Sequence, residues 1–157
     1  MAGQHGSVGS VIATIGTDAD EAVVERATAV AREEGRRVVL IDRSAESITG
    51  ATSYNDLRGD DDYRPSPDET VDAAIARREG RNDLARHLES LDGTGVDAGG
   101  WFPTKAGLAG IEDAIERFAG EVLVVPAAVR DPGIADLFRG VSLSSLEELP
   151  VRLVLVE

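Results

Sequence analysis

The feature that most narrows the possible folds is a repeated exchange of two apolar rhythms along the chain. Residues 8–15 (VGSVIATI), 37–42 (RVVLID), 96–102 (VDAGGWF), 121–125 (EVLVV) and 151–156 (VRLVLV) are short apolar runs with little polar alternation. Between them, apolar residues recur at steps of three and four. Unbroken apolar runs belong to strands buried on both faces, and the intervening steps belong to amphipathic helices. The first strand, helix and second strand fit into about 35 residues, the size of a parallel βαβ unit. Repetition of that unit predicts a three-layer α/β/α sandwich around a parallel sheet, in one domain over residues 1–157.

Local signals place the boundaries. Thr17 and Asp18 offer helix caps, Asp20 and Glu21 suit the first turn, and Gly35 supplies a stop after Val23, Ala27 and Val30. Residues 43–65 show no period and include Gly59-Asp60-Asp61-Asp62, which reads as a mobile surface excursion. Ser66-Pro67-Asp68-Glu69 combines a serine cap, proline at the first helical position and glutamate at the third. It predicts a helix through Val71, Ala74 and Ile75 towards Gly80, with a break at Arg81-Asn82 before the face Leu84, Leu88 and Leu91. Gly99 and Gly100 inside the third strand call for close approach by another backbone. Leu108, Ile111, Ile115 and Phe118 predict a further amphipathic helix ending at Gly120. Ser142 reads as the cap of a last short helix, which Pro150 stops.

Charge and composition exclude several functions. The net charge of −13 repels phosphate polymers, so nucleic acids and anionic membranes are not expected partners. The chain has no cysteine, which removes disulfides, thiolate metal sites and cysteine nucleophiles. The first residues lack a basic region followed by an apolar one, and no apolar run approaches the roughly 20 residues that span a bilayer. These features place the expected location in the cytoplasm.

In a parallel sheet covered on both faces, ligands bind beyond the carboxyl ends of the strands. The chain delivers Gly16, Thr17 and Asp18 there after the first strand, and Asp42 and Arg43 after the second. Thr104 and Lys105 follow the third strand, and residues 126–131 the fourth. Most of these polar groups also make ordinary helix caps. A dinucleotide fingerprint is absent after Gly16, no Gly-Lys-Ser/Thr loop occurs, and no serine sits in a Gly-x-Ser-x-Gly elbow. His5 belongs to a tail and His87 reads as a solvated helix residue beside Arg86 and Glu89. The aspartate run lacks the spaced ligands of a calcium loop. Trp101 is expected to pack against a neighbouring helix, with stacking on a ligand or partner as the alternative.

The segments VIATIGTDADEAVVERATAVAREEG and EVLVVPAAVRDPGIADLFRGVSLSSLEELPVRLVLVE, with VVLIDRSAES and DAGGWFPTKAG between them, resemble a divergent branch of the universal stress protein family. The resemblance implies a Rossmann-like, adenine nucleotide alpha hydrolase-like fold, a five-stranded sheet in the order 3-2-1-4-5, and a homodimer through the last strand. Val151, Leu153 and Leu155 alternate there with Arg152, Val154 and Val156, an apolar edge that calls for a partner. Nucleotide-binding members carry an aspartate after the first strand and Gly-x-x-Gly, nine residues, Gly-Ser/Thr after the fourth. Here Ile15 replaces the aspartate, Pro126 and Val129 replace the first two glycines, and Gly140 with Val141 and Ser142 keeps only the end of the motif. Proline lacks an N–H and valine resists positive φ, so this loop makes a poor phosphate nest.

The expected function is therefore a non-catalytic stress-response module that dimerises and binds an unidentified protein partner without a cofactor. The alternative is a sensor of ATP or another adenine nucleotide, held by Gly16, Thr17, Asp42, Arg43, Ala127, Arg130, Gly140 and Ser142. Lys105 or Arg139 would be further phosphate partners in that reading. A metal-assisted hydrolase using Thr17, Asp18 and Asp42 is the weakest option, because no general base accompanies them.

Overall fold

The computed structural model describes residues 9–16, 19–42, 70–103, 107–127 and 143–156. Its sheet contains β1 (Ser10–Ile15), β2 (Val38–Asp42), β3 (Ala98–Trp101), β4 (Gly120–Pro126) and β5 (Arg152–Val156). All neighbours pair in parallel, as the apolar rhythm implies, and the order is β3-β2-β1-β4-β5, as the resemblance implies. Every residue of β1 and β2 is buried, which is why those runs show no polar alternation.

Alternate side chains of each strand feed two cores. Val11, Ala13 and Ile15 of β1 and Val38 and Leu40 of β2 face α1 (Asp20–Glu34), α2 (Ala73–Arg78) and α3 (Asn82–Asp92). Ile12, Val39, Ile41, Leu123 and Val125 face α4 (Gly107–Arg117) and α5 (Leu143–Glu147). The expected face Leu84, Leu88 and Leu91 is buried on α3, and Ile111, Ile115 and Phe118 are buried on and just beyond α4.

Three boundaries differ from expectation. The N-cap of α1 is Ala19, which makes no side-chain cap bond; Thr17 and Asp18 lie outside the described residues. The helix expected to run through Val71 starts at Ala73, where the Asp72 carboxylate accepts the Ile75 N–H at 2.9 Å. Val71 instead exchanges two backbone hydrogen bonds of 2.8 Å with Gly100, in an antiparallel bridge that covers the outer edge of β3. A valine suits such a bridge because its side chain is 2% exposed in the core beneath. The segments 43–65 and 66–69 lie outside the described residues. Finally, α4 stops at Arg117, and Gly120 opens β4 rather than closing the helix. A Cβ there would stand 2.8 Å from Ile12 Cγ1, so close packing requires the glycine. The break at Arg81-Asn82 is present, with Gly80 at φ 80° between α2 and α3.

An ionic tie closes the amino end of the sheet. Arg36 bonds Glu34 at 2.7 Å, Glu121 at 3.0 Å and the Gly9 carbonyl at 2.9 Å, and Arg152 of β5 also bonds Glu34. The hydrogen bond from Arg36, then that from Arg152, holds the Glu34 carboxyl below the usual carboxylate range. A lowered folded-state pKa adds stability that is complete above the unfolded-chain value and is lost as pH falls through the folded one. The Glu34→Gln variant is therefore expected to show a shallower fall of Tm with acidification across and below the carboxylate range, with a constant offset from the parent near neutrality. Identical acid limbs in thermal melts would show that Glu34 contributes no such coupling.

Candidate functional site

The carboxyl ends of β2, β1 and β4 stand side by side, where a parallel sheet of this kind offers its ligand site. Gly16 follows β1 with φ 123°, a conformation that L side chains rarely adopt, so the backbone there needs glycine. Its N–H donates to both carboxylate oxygens of Asp20, at 2.8 and 3.0 Å. The amide that a ligand would seek after β1 is thus already held by the first residue of the following helix. Asp42 ends β2 in register with Ile15 and is 3% exposed. Pro126 ends β4 in register with Val156, and Ala127 beyond it is 9% exposed.

Of the residues expected at the cleft, Gly16, Asp42 and Ala127 are thereby placed on three adjacent strand ends. Thr17, Arg43, Arg130, Gly140 and Ser142 lie outside the described residues, as do Asp18, Lys105 and Arg139. Pro126 occupies the end of β4 and has no N–H to offer an anion. One more polar group lies near this rim. The Thr14 hydroxyl, two residues before Gly16, is buried without a hydrogen-bond partner. Strand alternation sets it on the Ile12 face of the sheet, towards α4 and α5.

Trp101 ends β3 at 3% exposure and meets Phe118 edge to face, with ring centroids 5.6 Å apart and planes at 78°. The expectation of packing against a helix holds, because Phe118 follows α4 directly. Gly99 admits Thr70 against β3, the close approach expected there, whereas a Cβ on Gly100 would meet the Leu84 side chain of α3.

His87 corrects the sequence reading. It is 4% exposed rather than solvated, and its Nε2 lies 3.9 Å from Asp20 Oδ2 without a hydrogen-bond partner. The spacing Leu84, His87, Leu88, Leu91 could have shown this, since it is the apolar stripe of α3 with the histidine inside it. His87 also borders a groove of about 420 Å³ between α1 and α3, lined from α1 by Glu21, Val24, Glu25, Thr28 and Arg32. Among the described residues no group of three or more His, Cys, Asp or Glu is placed to hold a metal ion. Among those residues, too, no helix is long and apolar enough to cross a membrane.

No protein-family model and no curated protein matches the sequence. Solved structures do match, universal stress proteins among them. One from Archaeoglobus fulgidus in complex with dAMP is 14% identical, with a TM-score of 0.57 over 96% of this chain and 98% of that one. Another structure from Archaeoglobus fulgidus is 13% identical, with a TM-score of 0.59 over 96% and 99% of the two chains. A universal stress protein in complex with cAMP is 15% identical, with a TM-score of 0.58 over 95% and 97%. The chain thus has the universal stress protein fold over nearly its whole length. At these identities the likeness is one of architecture, and it agrees with the resemblance read from the sequence.

Proposed function

We propose that this protein is a non-catalytic stress-response module that acts by pairing through β5 and binding a protein partner. The observation that carries this reading is the state of β5. It is an edge strand of the sheet, and Val151 and Leu153 to Val156 are all partly exposed in the isolated chain. An apolar edge with free backbone groups is a template for a second strand. The backbone at the ends of β4 and β1, Pro126 and Gly16, also supports a role without nucleotide chemistry. One is a proline, and the other has its N–H committed to Asp20.

The test is the oligomeric state of the full chain by light scattering and sedimentation. A dimer is expected, and Leu155→Arg should weaken it by roughly 30-fold or more, the effect of a central interface residue. A monomeric parent at high micromolar concentration would remove this reading.

A second reading has its own support, because structural neighbours of the same fold were solved with dAMP and with cAMP. In that reading an adenine nucleotide lies over Gly16, Asp42 and Ala127. ATP, ADP, AMP and cAMP are then expected to raise Tm, with about 2.7 kcal/mol of stabilisation at 100 times the dissociation constant. Absence of any shift at millimolar nucleotide would leave the first reading alone.

A further inference from the structure

His87 is used by neither reading above, yet it stands one side chain away from the end of β1. Asp20, the first residue of α1, accepts the Gly16 N–H with Oδ1 at 2.8 Å and with Oδ2 at 3.0 Å. Oδ2, at the longer of the two distances, is also the atom that His87 approaches, with Nε2 3.9 Å away. That separation is too long for a hydrogen bond, and Nε2 is buried with no partner. A buried nitrogen left unpaired is costly and calls for a reason. Here the carboxylate beside it is engaged by a backbone amide.

Among the described residues, the charged groups around this imidazole are mostly acids. From α1 come Asp20, with Glu21 and Glu25 along the groove that His87 borders. Arg32 lines the same groove about three turns further along α1. On α3 itself, Arg86 shares the groove wall and reaches Asp83 at 3.5 Å. Glu89 is drawn off by Arg77 of α2, in hydrogen bonds of 2.6 and 3.0 Å. From the sheet, Asp42 ends β2 on the face of Val38 and Leu40, which these helices cover. β1 and β3 carry no ionisable side chain. The His87 side chain keeps 5% exposure, which lets its ring exchange protons with solvent while Nε2 stays buried beside Asp20.

We propose that His87 is an acid-operated switch on the turn between β1 and α1. Histidine changes charge between pH 5 and 8. An imidazolium carries N–H on both ring nitrogens, so proton uptake places a donor at Nε2 whichever neutral tautomer precedes it. A charge-assisted bond to Asp20 Oδ2 needs an approach of about 1 Å from the present 3.9 Å, which side-chain rotation supplies. Oδ2 then leaves the Gly16 N–H, and that amide keeps Oδ1 alone. Above the imidazole range both oxygens return to Gly16. Acid therefore loosens the backbone just beyond β1, where the sheet offers its ligand site, and leaves the strand pairing intact.

The test is an NMR titration of the full chain from about pH 8 to pH 5. The Gly16 amide and the His87 ring are expected to shift with one common midpoint, and hydrogen-exchange protection at Gly16 to fall several-fold across it. His87→Leu, which continues the stripe of Leu84, Leu88 and Leu91, should leave the Gly16 amide flat over that range. Asp20→Asn keeps an acceptor for Gly16 but offers no charge to an imidazolium. It should leave Gly16 flat while the ring still titrates. If His87→Leu does not fold, the parent and Asp20→Asn decide. A Gly16 amide that stays flat while the parent's ring titrates would overturn the proposal. So would a ring that does not titrate before the fold is lost, or a Gly16 shift that survives in either variant. The titration contains no nucleotide and does not read association, so its failure is separate from failure of the pairing or nucleotide readings.

Discussion

Truncating Leu123 to alanine is expected to cost about 2–5 kcal/mol of folding stability, the range for a buried leucine whose neighbours relax only partly. For a chain of this size that is a fall in Tm of roughly 4–20 °C. Leu123 is fully buried in β4 and stands in register with Ile12 on one side and Leu153 on the other. It belongs to the core formed with Ile111, Ile115 and Phe118, so its loss opens a cavity that a sheet flanked by two paired strands cannot close. Urea denaturation should show a lower midpoint with an unchanged slope. A loss below about 1 kcal/mol would mean that this face is not packed as a core.

Placing valine at Gly99 should be comparably severe, by a different route. A Cβ at Gly99 would lie 2.4 Å from both Cβ and Oγ1 of Thr70, so segment 70–71 must move away. That movement breaks the paired 2.8 Å hydrogen bonds between Val71 and Gly100 and uncovers Val71. Two hydrogen bonds at about 1 kcal/mol each and a buried valine at roughly 1.5 kcal/mol or more set an expected loss of about 3–4 kcal/mol. Hydrogen exchange separates this effect from general destabilisation. The Val71 and Gly100 amides should lose protection relative to Ile12 and Leu123. Unchanged protection at Val71 would sink the account.

Gly99 and Leu123 also mark how far the sequence could be read. The unbroken run around Leu123 announced a strand buried on both faces, because a strand covered by helices has no solvent side to alternate with. The glycine pair announced that some backbone must come close, without naming it. The partner was Thr70-Val71, which a helical reading of the Ser66–Glu69 cap signal had placed inside a helix. A local cap motif reports propensity, whereas pairing with β3 is a contact across about 30 residues of chain, and tertiary contacts override propensity. Gly120 shows the same conflict: next to a helix it reads as a stop, yet its role is to let Ile12 approach.

The site divides along similar lines. That Gly16 and Asp42 would gather at the strand ends followed from strand direction alone. That the Gly16 N–H is taken by Asp20, and that His87 is buried beside it, did not. A charged or polar letter inside a helical stripe is assigned to solvent when each helix is read by itself. The burial of His87 depends on where α1 lies against α3, two segments with residues 35–81 of the chain between them.

By itself, then, the order of apolar runs and amphipathic stretches determined a parallel sheet with helices on both sides, since backbone hydrogen bonding and burial leave few other solutions for that pattern. Only the tertiary structure decided which polar groups remain available to a ligand. Availability depends on distances between elements remote in sequence, and a distance of that kind has no periodicity to be read.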